Sequence, residues 1–317
     1  MSAVLFSLLG YKVYLATQYT NQEIAEIKIK KGASVKWIAQ KLQDHNVIQD
    51  KYVFEYYLKY QGKESLLKAG EYVFPSQLSL DVLIDMMVKG KIKRYKITIP
   101  EGYNISQTCS LFAKKKLIDF EVCLTLAKEV FLLEKNKDIK TLEGYLFPST
   151  YYYEKDATPK EFFQQMTTLF YDKVSVTIKK AAQERGFTIH ELVTLASIIE
   201  KETGAQEERP LIAGVFLNRL EKGMLLQSDP TVIYGVKNFD GNLRRRDLVK
   251  DSPYNTYTRK GLPVGPICSP GLASIEAVLK PTKTEFIYFV AKGDGSHYFS
   301  KTLKEHNRAV RKYQLKK

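Results

Sequence analysis

Histidine and cysteine are scarce in this chain of 317 residues: four His and three Cys, with a single Trp. The histidines, His45, His190, His297 and His306, are scattered, and no two stand at the i, i+4 spacing that places two ligands on one helix face. Cys109, Cys123 and Cys268 show no short pair spacing, so neither a zinc site nor a disulfide framework is indicated. An odd count leaves at least one thiol free or paired between chains, and all three read as small buried residues. A glycine-rich phosphate loop, a dinucleotide fingerprint and a nucleophile elbow are missing too, which disfavours nucleotide chemistry and serine hydrolysis. No metal and no cofactor are therefore expected. Long apolar runs are lacking as well. Residues 1–15, MSAVLFSLLGYKVYL, are nearly all apolar but short of the roughly 20 residues that span a bilayer, and they carry neither the basic leader nor the cleavage site of a signal peptide. Polar residues follow directly, as at a membrane exit, so residues 1–18 are expected to be part of a membrane anchor.

Apolar bulk is plentiful: 44% of the chain is hydrophobic, with 21 Tyr and 16 Phe, enough for a sizeable core. The length suits one core plus an accessory module. Forty-nine basic against 35 acidic residues leave a net charge of +14, which attracts an anionic partner: nucleic acid, an acidic membrane surface or an acidic polymer. Much of that charge lies in short scattered runs such as Lys114–Lys116 and Arg244–Arg246, the pattern of a solvated face. No nucleic-acid motif accompanies it, so no nucleic-acid partner is expected.

Two echoes run through the first half. Ile29-Lys-Lys-Gly32-Ala-Ser-Val35 recurs 70 residues on as Ile99-Pro-Glu-Gly102-Tyr-Asn-Ile105, and Val47-Ile48 recurs as Leu117-Ile118. Gly70-Glu-Tyr72-Val-Phe74-Pro-Ser76 is answered by Glu143-Gly-Tyr145-Leu-Phe147-Pro-Ser149. Each unit reads as a strand, a Gly turn, an amphipathic helix and a closing strand, a duplicated β-α module over residues 24–150. Past Tyr153 the pattern turns helical, with helices expected over residues 159–174, 176–185, 189–203 and 209–222. Thr188 and Glu191 make a capping box for the third, and Gly204 stands where a left-handed residue would close it. Residues 227–270 read as ordered loops. A strand over 286–291, a partner near 297–299 across the Gly293-Asp294-Gly295 turn, and a closing helix over 303–313 complete the chain.

Two stretches carry candidate chemistry. The helix of residues 189–203 is apolar on almost every face until Glu200 and Glu202 arrive in its last turn. A carboxylate beside such a surface is either at the solvent edge or tuned for proton transfer. Residues two apart differ by about 200° around a helix, so the two cannot share a cleft. Glu202 continues the ladder through Leu195, Ile198 and Ile199, which mildly favours it, while both remain readable as surface residues of a helix end. The loops add Gln227, Ser228, Asp229, Tyr234, Tyr254, Asn255 and Tyr257, aromatic faces with amides and hydroxyls that suit a sugar groove and equally suit ordinary turns.

The blocks LASIIEKET at 195–203, AGVFLNRL at 213–220, LQSDPTVIYG at 226–235, YNTY at 254–257, GLPVGPI at 261–267 and SPG at 269–271 together resemble the MltG, or YceG-like, endolytic murein transglycosylases, from about Ile24 to the C-terminus. The resemblance implies an α+β fold, with a LysM-like β-α front module at 24–97, a second β-α repeat or connector at 98–150 and a mixed helical and β catalytic domain at 151–317. Matched position by position, the family's catalytic glutamate falls on Glu202, and Gln227, Asp229, Tyr254 and Asn255 become candidates for holding sugars. The activity implied is non-hydrolytic cleavage of peptidoglycan strands between N-acetylmuramic acid and N-acetylglucosamine, leaving 1,6-anhydro ends. The setting implied is a single-pass protein of the cytoplasmic membrane with its catalytic domain on the outer face, working beside penicillin-binding peptidoglycan synthases. A wall-binding protein that does not cut would share every one of these features except an essential Glu202.

Overall fold

The structure, a computed structural model, describes residues 23–129, 139–155 and 157–315. Its fold is mixed α and β, mostly helical, with two-stranded sheets. Residues 1–18, read as part of an anchor, lie outside the described residues. Among the described residues no helix is long and apolar enough to cross a membrane. The chain forms two compact units, one of residues through Lys96 with 152–157, the other of residues 97–151 and 158–317. The segment 98–150, read above as a repeat or connector, thus packs with the helical second half.

In the first unit β1 (Ala25–Ile29) pairs antiparallel with β2 (Gly70–Phe74), Ala25 opposite Phe74 and Ile29 opposite Gly70. Alternation puts Ile27 and Ile29 inside and leaves Glu26 and Lys28 out. Two helices join the strands. Ser34 caps α1 (Val35–Asp44), which buries Ile38, Ala39 and Leu42, and Asp50 caps α2 (Lys51–Tyr60), which buries Phe54 and Leu58. After β2, Ser79 starts α3 (Leu80–Lys89) and Gly90, left-handed at φ 69°, ends it. The core closes on Tyr72 and Phe74, stacked at 5.4 Å, with the Tyr72 hydroxyl donating to the carbonyls of Lys68 and Met87.

The second unit begins on the echo. After β3 (Tyr95–Thr98), Gly102 turns at φ 75° as Gly32 does at 77°, and Asn104 caps α4 (Ile105–Lys114), in step with α1 at an offset of 70 residues. Asp119 then caps α5 (Phe120–Leu126) much as Asp50 caps α2. The second echo keeps its burial and loses its strand. Tyr145 and Phe147 are buried like Tyr72 and Phe74, but Gly144 takes φ 82° in a turn, and the strand β4 (Thr150–Tyr153) forms farther on, paired with β3. The Gly144 turn is packed so closely that a Cβ there would lie 2.6 Å from Pro266.

All three cysteines are buried, as read from the sequence, but the expectation that no disulfide forms fails, and only Cys268 is a free thiol. Cys109 on α4 and Cys123 on α5 form a disulfide, their Cα atoms 5.5 Å apart. The spacing of 14 hides the pair because it is set by two helices folding back on each other rather than by a local motif. Closing a loop of this length in the unfolded chain is worth about 3 kcal/mol. Cys109→Ser should therefore lower the melting temperature, and reductant should lower the wild type to the same value. Identical melts with and without reductant would rule the bridge out.

The remaining helices are α6 (Pro159–Lys173), α7 (Val176–Glu184), α8 (Ile189–Glu202), α9 (Arg209–Glu221), α10 (Asp229–Gly235), α11 (Arg245–Val249) and α12 (Leu272–Leu279). Three of these differ from the sequence expectation: α10 and α11 form within residues 227–270, expected as ordered loops, and α12 follows that stretch. The strands β5 (Tyr288–Ala291) and β6 (His297–Ser300) form the expected hairpin, and α13 (Leu303–Tyr313) packs on both. At the centre, α8 packs against α12 and α9.

Candidate active site

The capping box forms at the start of α8: Thr188 Oγ1 accepts from Glu191 N at 3.2 Å, and Glu191 accepts from Thr188 N at 2.8 Å. From Leu192 to Ile199 every residue is buried. The two polar members bond back to their own helix, Thr194 to the carbonyl of His190 and Ser197 to that of Thr194, so neither hydroxyl is stranded in the core. Ser197 also accepts from Ile267 N at 3.0 Å, fastening the 265–271 segment alongside. At its far end the helix stops at Thr203, in extended conformation, whose hydroxyl accepts from Ala205 N. Gly204, expected to be the left-handed terminator, has no positive φ, because the Thr203 turn already ends the helix.

The two glutamates of the last turn diverge, as a 200° separation requires. Glu200 points inward, with its side chain 5% exposed. It accepts from Arg209 at 2.9 Å, from Gly271 N at 3.0 Å and from Ser274 Oγ at 2.7 Å, pinning the starts of α9 and α12 to α8. It is a structural ion pair. Glu202 turns the other way, half-buried, and accepts a short hydrogen bond from Ser228 Oγ. Burial pushes its pKa up to about 7, reinforced by the nearby charge of Asp229 and opposed by the Ser228 bond and the cation of Arg219.

Ser228 is held in place by a small buried network. Gln227 adopts a left-handed φ of 51°, unfavourable for a residue with a side chain, and the turn is fixed by Gln227 N donating to the Thr256 carbonyl and Ser228 N to the Thr256 hydroxyl. Thr231 closes the network, its hydroxyl meeting both the Ser228 carbonyl and Thr256 Oγ1. Arg219 lies below, buried, with its guanidinium on the carbonyls of Ile287, Leu225 and Leu226.

Of the residues proposed from sequence, Gln227 and Asp229 are exposed on either side of Ser228, and Asp229 accepts from the Tyr257 hydroxyl at 2.6 Å. Tyr254 packs edge-on to Tyr234 at 4.7 Å, whose hydroxyl in turn donates to Glu143. Asn255 is buried. Its amide donates to the carbonyls of Asp247, Leu248 and Lys250, and its oxygen accepts from Tyr257 N, so it braces the loop that presents Tyr257. Ser228 and Tyr257 stand among the groove residues named from the sequence without a role of their own, and Arg219 and Glu143 are not among them. Arg219 lies inside the AGVFLNRL block and Glu143 opens the downstream half of the second echo, but a lone Arg in a helix and a lone Glu in a turn carry no local sign of a role. Among the described residues no cluster of His, Cys, Asp and Glu is arranged to hold a metal ion.

Two carboxyls, Glu202 and the buried Glu143, have pKa values raised to about 7, both chiefly by burial, and of these Glu202 sits at the end of α8 beside a loop that exposes Gln227 and Asp229. The chain belongs to the YceG-like family, whose model matches residues 27–312. It is 37% identical to the endolytic murein transglycosylase of Bacillus subtilis over 96% of this chain and 89% of that protein. The endolytic murein transglycosylase of Streptococcus pneumoniae is 30% identical over 97% of this chain, which spans 63% of that longer protein. The crystal structure of a YceG-like protein from Listeria monocytogenes superposes with a TM-score of 0.63 at 34% identity, covering 91% of this chain and 99% of that one.

Proposed function

We propose that this protein is an endolytic murein transglycosylase that cuts between N-acetylmuramic acid and N-acetylglucosamine with Glu202 as its single proton shuttle. The observation that carries this reading is the half-buried Glu202 carboxyl, with a pKa near 7 and a hydroxyl holding it in one orientation. Protonated, it donates to the glycosidic oxygen as the bond to muramic acid C1 breaks. As carboxylate, it then takes the proton from that sugar's C6 hydroxyl, whose oxygen attacks C1 and closes a 1,6-anhydro ring. The proton is returned, no water is consumed, and no protein nucleophile is needed. Most glycosidases use a second carboxylate. Here Asp229 is engaged by Tyr257 and acts on Glu202 through its charge, which keeps the acid protonated. Gln227, Asp229 and Tyr254 hold the sugars in register, and Asn255 acts through the loop it braces.

The first unit, a βααβ arrangement closed by a third helix, is proposed as a LysM-like module that grips the same strand. The setting is proposed to be the outer face of the cytoplasmic membrane, beside the synthases that make the strands. A disulfide between Cys109 and Cys123 suits an oxidising compartment, and a net charge of +14 suits an anionic surface. The test is mass spectrometry of products from purified glycan strands. Internal fragments ending in anhydro-muramic acid are expected. Products heavier by one water, with reducing ends, would make the protein a hydrolase, and intact strands would make it a binder.

A further inference from the structure

Beside the end of α8 the second unit contains a cavity of about 900 Å³, within the range of small-ligand pockets. Ile105, Leu124, Ile233, Val236 and Phe239 give it an apolar wall. Glu143 lies in its lining, 4% exposed, accepting from Ile105 N at 3.1 Å and from the Tyr234 hydroxyl at 2.9 Å. Glu121 adds a second carboxylate, while Lys201 and Lys128 add two ammonium groups. The cavity adjoins the candidate catalytic residues along the chain: Lys201 directly precedes Glu202, and Pro230 directly follows Asp229.

We propose that this cavity is a subsite for the short peptide that murein strands carry on their muramic acid residues, so that the protein reads peptide as well as sugar. The glycan backbone does not account for such a lining. Its sugars are neutral once the lactyl carboxyl is joined to a peptide, and they are gripped by aromatic faces and amides. A stem peptide offers free carboxylates, the side chain of a diamino acid and several methyl groups. Lys201 and Lys128 match the first, Glu121 matches an ammonium, and the apolar wall matches the last, while Glu143 is committed to Ile105 N and Tyr234 and shapes the floor. Lys201 and Pro230 are the chain neighbours of Glu202 and Asp229, so the cavity suits a ligand that hangs from a sugar near the scissile bond.

This inference rests on the transglycosylase reading above, and two arms keep their failures apart. In the first, kcat/KM is measured on peptide-bearing strands and on the same strands stripped by an amidase. The wild type should prefer peptide-bearing strands by about tenfold or more. Leu124→Trp, which fills the cavity from α5, should bring that ratio to near one, and Thr125→Trp serves if Leu124→Trp does not fold. A wild type indifferent to peptide, or a variant slowed in equal proportion on both substrates, overturns the proposal. In the second arm the free tetrapeptide L-Ala-γ-D-Glu-diamino acid-D-Ala is titrated calorimetrically into wild type and variant. If neither strand is cut, the transglycosylase reading falls, and this arm alone decides: saturable binding lost in the variant supports the subsite, and no binding to the wild type overturns it.

Discussion

Glu202→Gln should fold and cut nothing. Gln keeps the volume of Glu and can still accept the Ser228 hydrogen bond, but it neither delivers nor receives a proton. General acid catalysis is worth about 10²- to 10⁴-fold, and a group asked to act twice should lose the top of that range. The pH profile supplies a second signature. With its pKa raised to about 7, the acid is protonated below neutrality, so wild-type kcat/KM should fall on the alkaline side with a midpoint near 7. Stability moves in the same sense. The folded state holds this proton up to about pH 7 while the unfolded chain releases it near the ordinary glutamate value, so folding binds a proton in that window and stability declines as pH rises through it. The Gln variant loses the share of this decline that Glu202 contributes, while Glu143, likewise raised to about 7, keeps its own, so the variant should melt at or above the wild type at pH 8. A variant that cuts normally, or one that melts well below wild type at pH 8, would show that Glu202 is not the buried acid described.

Glu200→Gln should do the opposite, sparing the chemistry and weakening the fold. Arg209 and Glu200 are both almost fully buried, Arg209 meets Glu200 through Nη2 alone, and its Nε and Nη1 have no hydrogen-bond partner among the described residues. Removing one charge of a buried pair costs about 3–5 kcal/mol, because the partner is left unmatched in a poorly solvating interior. In a domain of this size that lowers the melting temperature by on the order of 10 °C. Glu101, 3.9 Å from Arg209 and half-exposed, is a weak substitute. Cleavage measured well below the melting point should stay near wild type. The double variant Glu200→Gln, Arg209→Met should recover part of the loss by removing the stranded cation, and strictly additive destabilisation would refute the ion-pair explanation.

Much of this was legible in the chain. The capping box of Thr188 and Glu191, the apolar run behind it and the hairpin of β5 and β6 all rest on interactions among neighbours in sequence, and they stand where periodicity places them. The turn of Gly32 and the helix after it repeat at Gly102 for the same reason. Short helices were not legible. Residues 229–235 begin on Asp-Pro and end on Gly, residues 245–249 make barely more than one turn, and both helices are held by packing and by Thr256 and Asn255 from elsewhere in the chain.

Local order in the chain was enough to send Glu200 and Glu202 to opposite sides of α8, since the pitch of a helix is the same in every protein. Which of them meets Arg209 and which meets Ser228 depends on segments up to 74 residues away in sequence, brought in by the packing of α9 and α12. The same holds for Cys109 and Cys123, joined because two helices fold together, and for Glu143, whose burial comes from Ile105 and Tyr234 on separate helices. A carboxyl's affinity for its proton is set by the water it loses and the charges it faces. Those are properties of assembled space, and a one-dimensional spacing does not contain them.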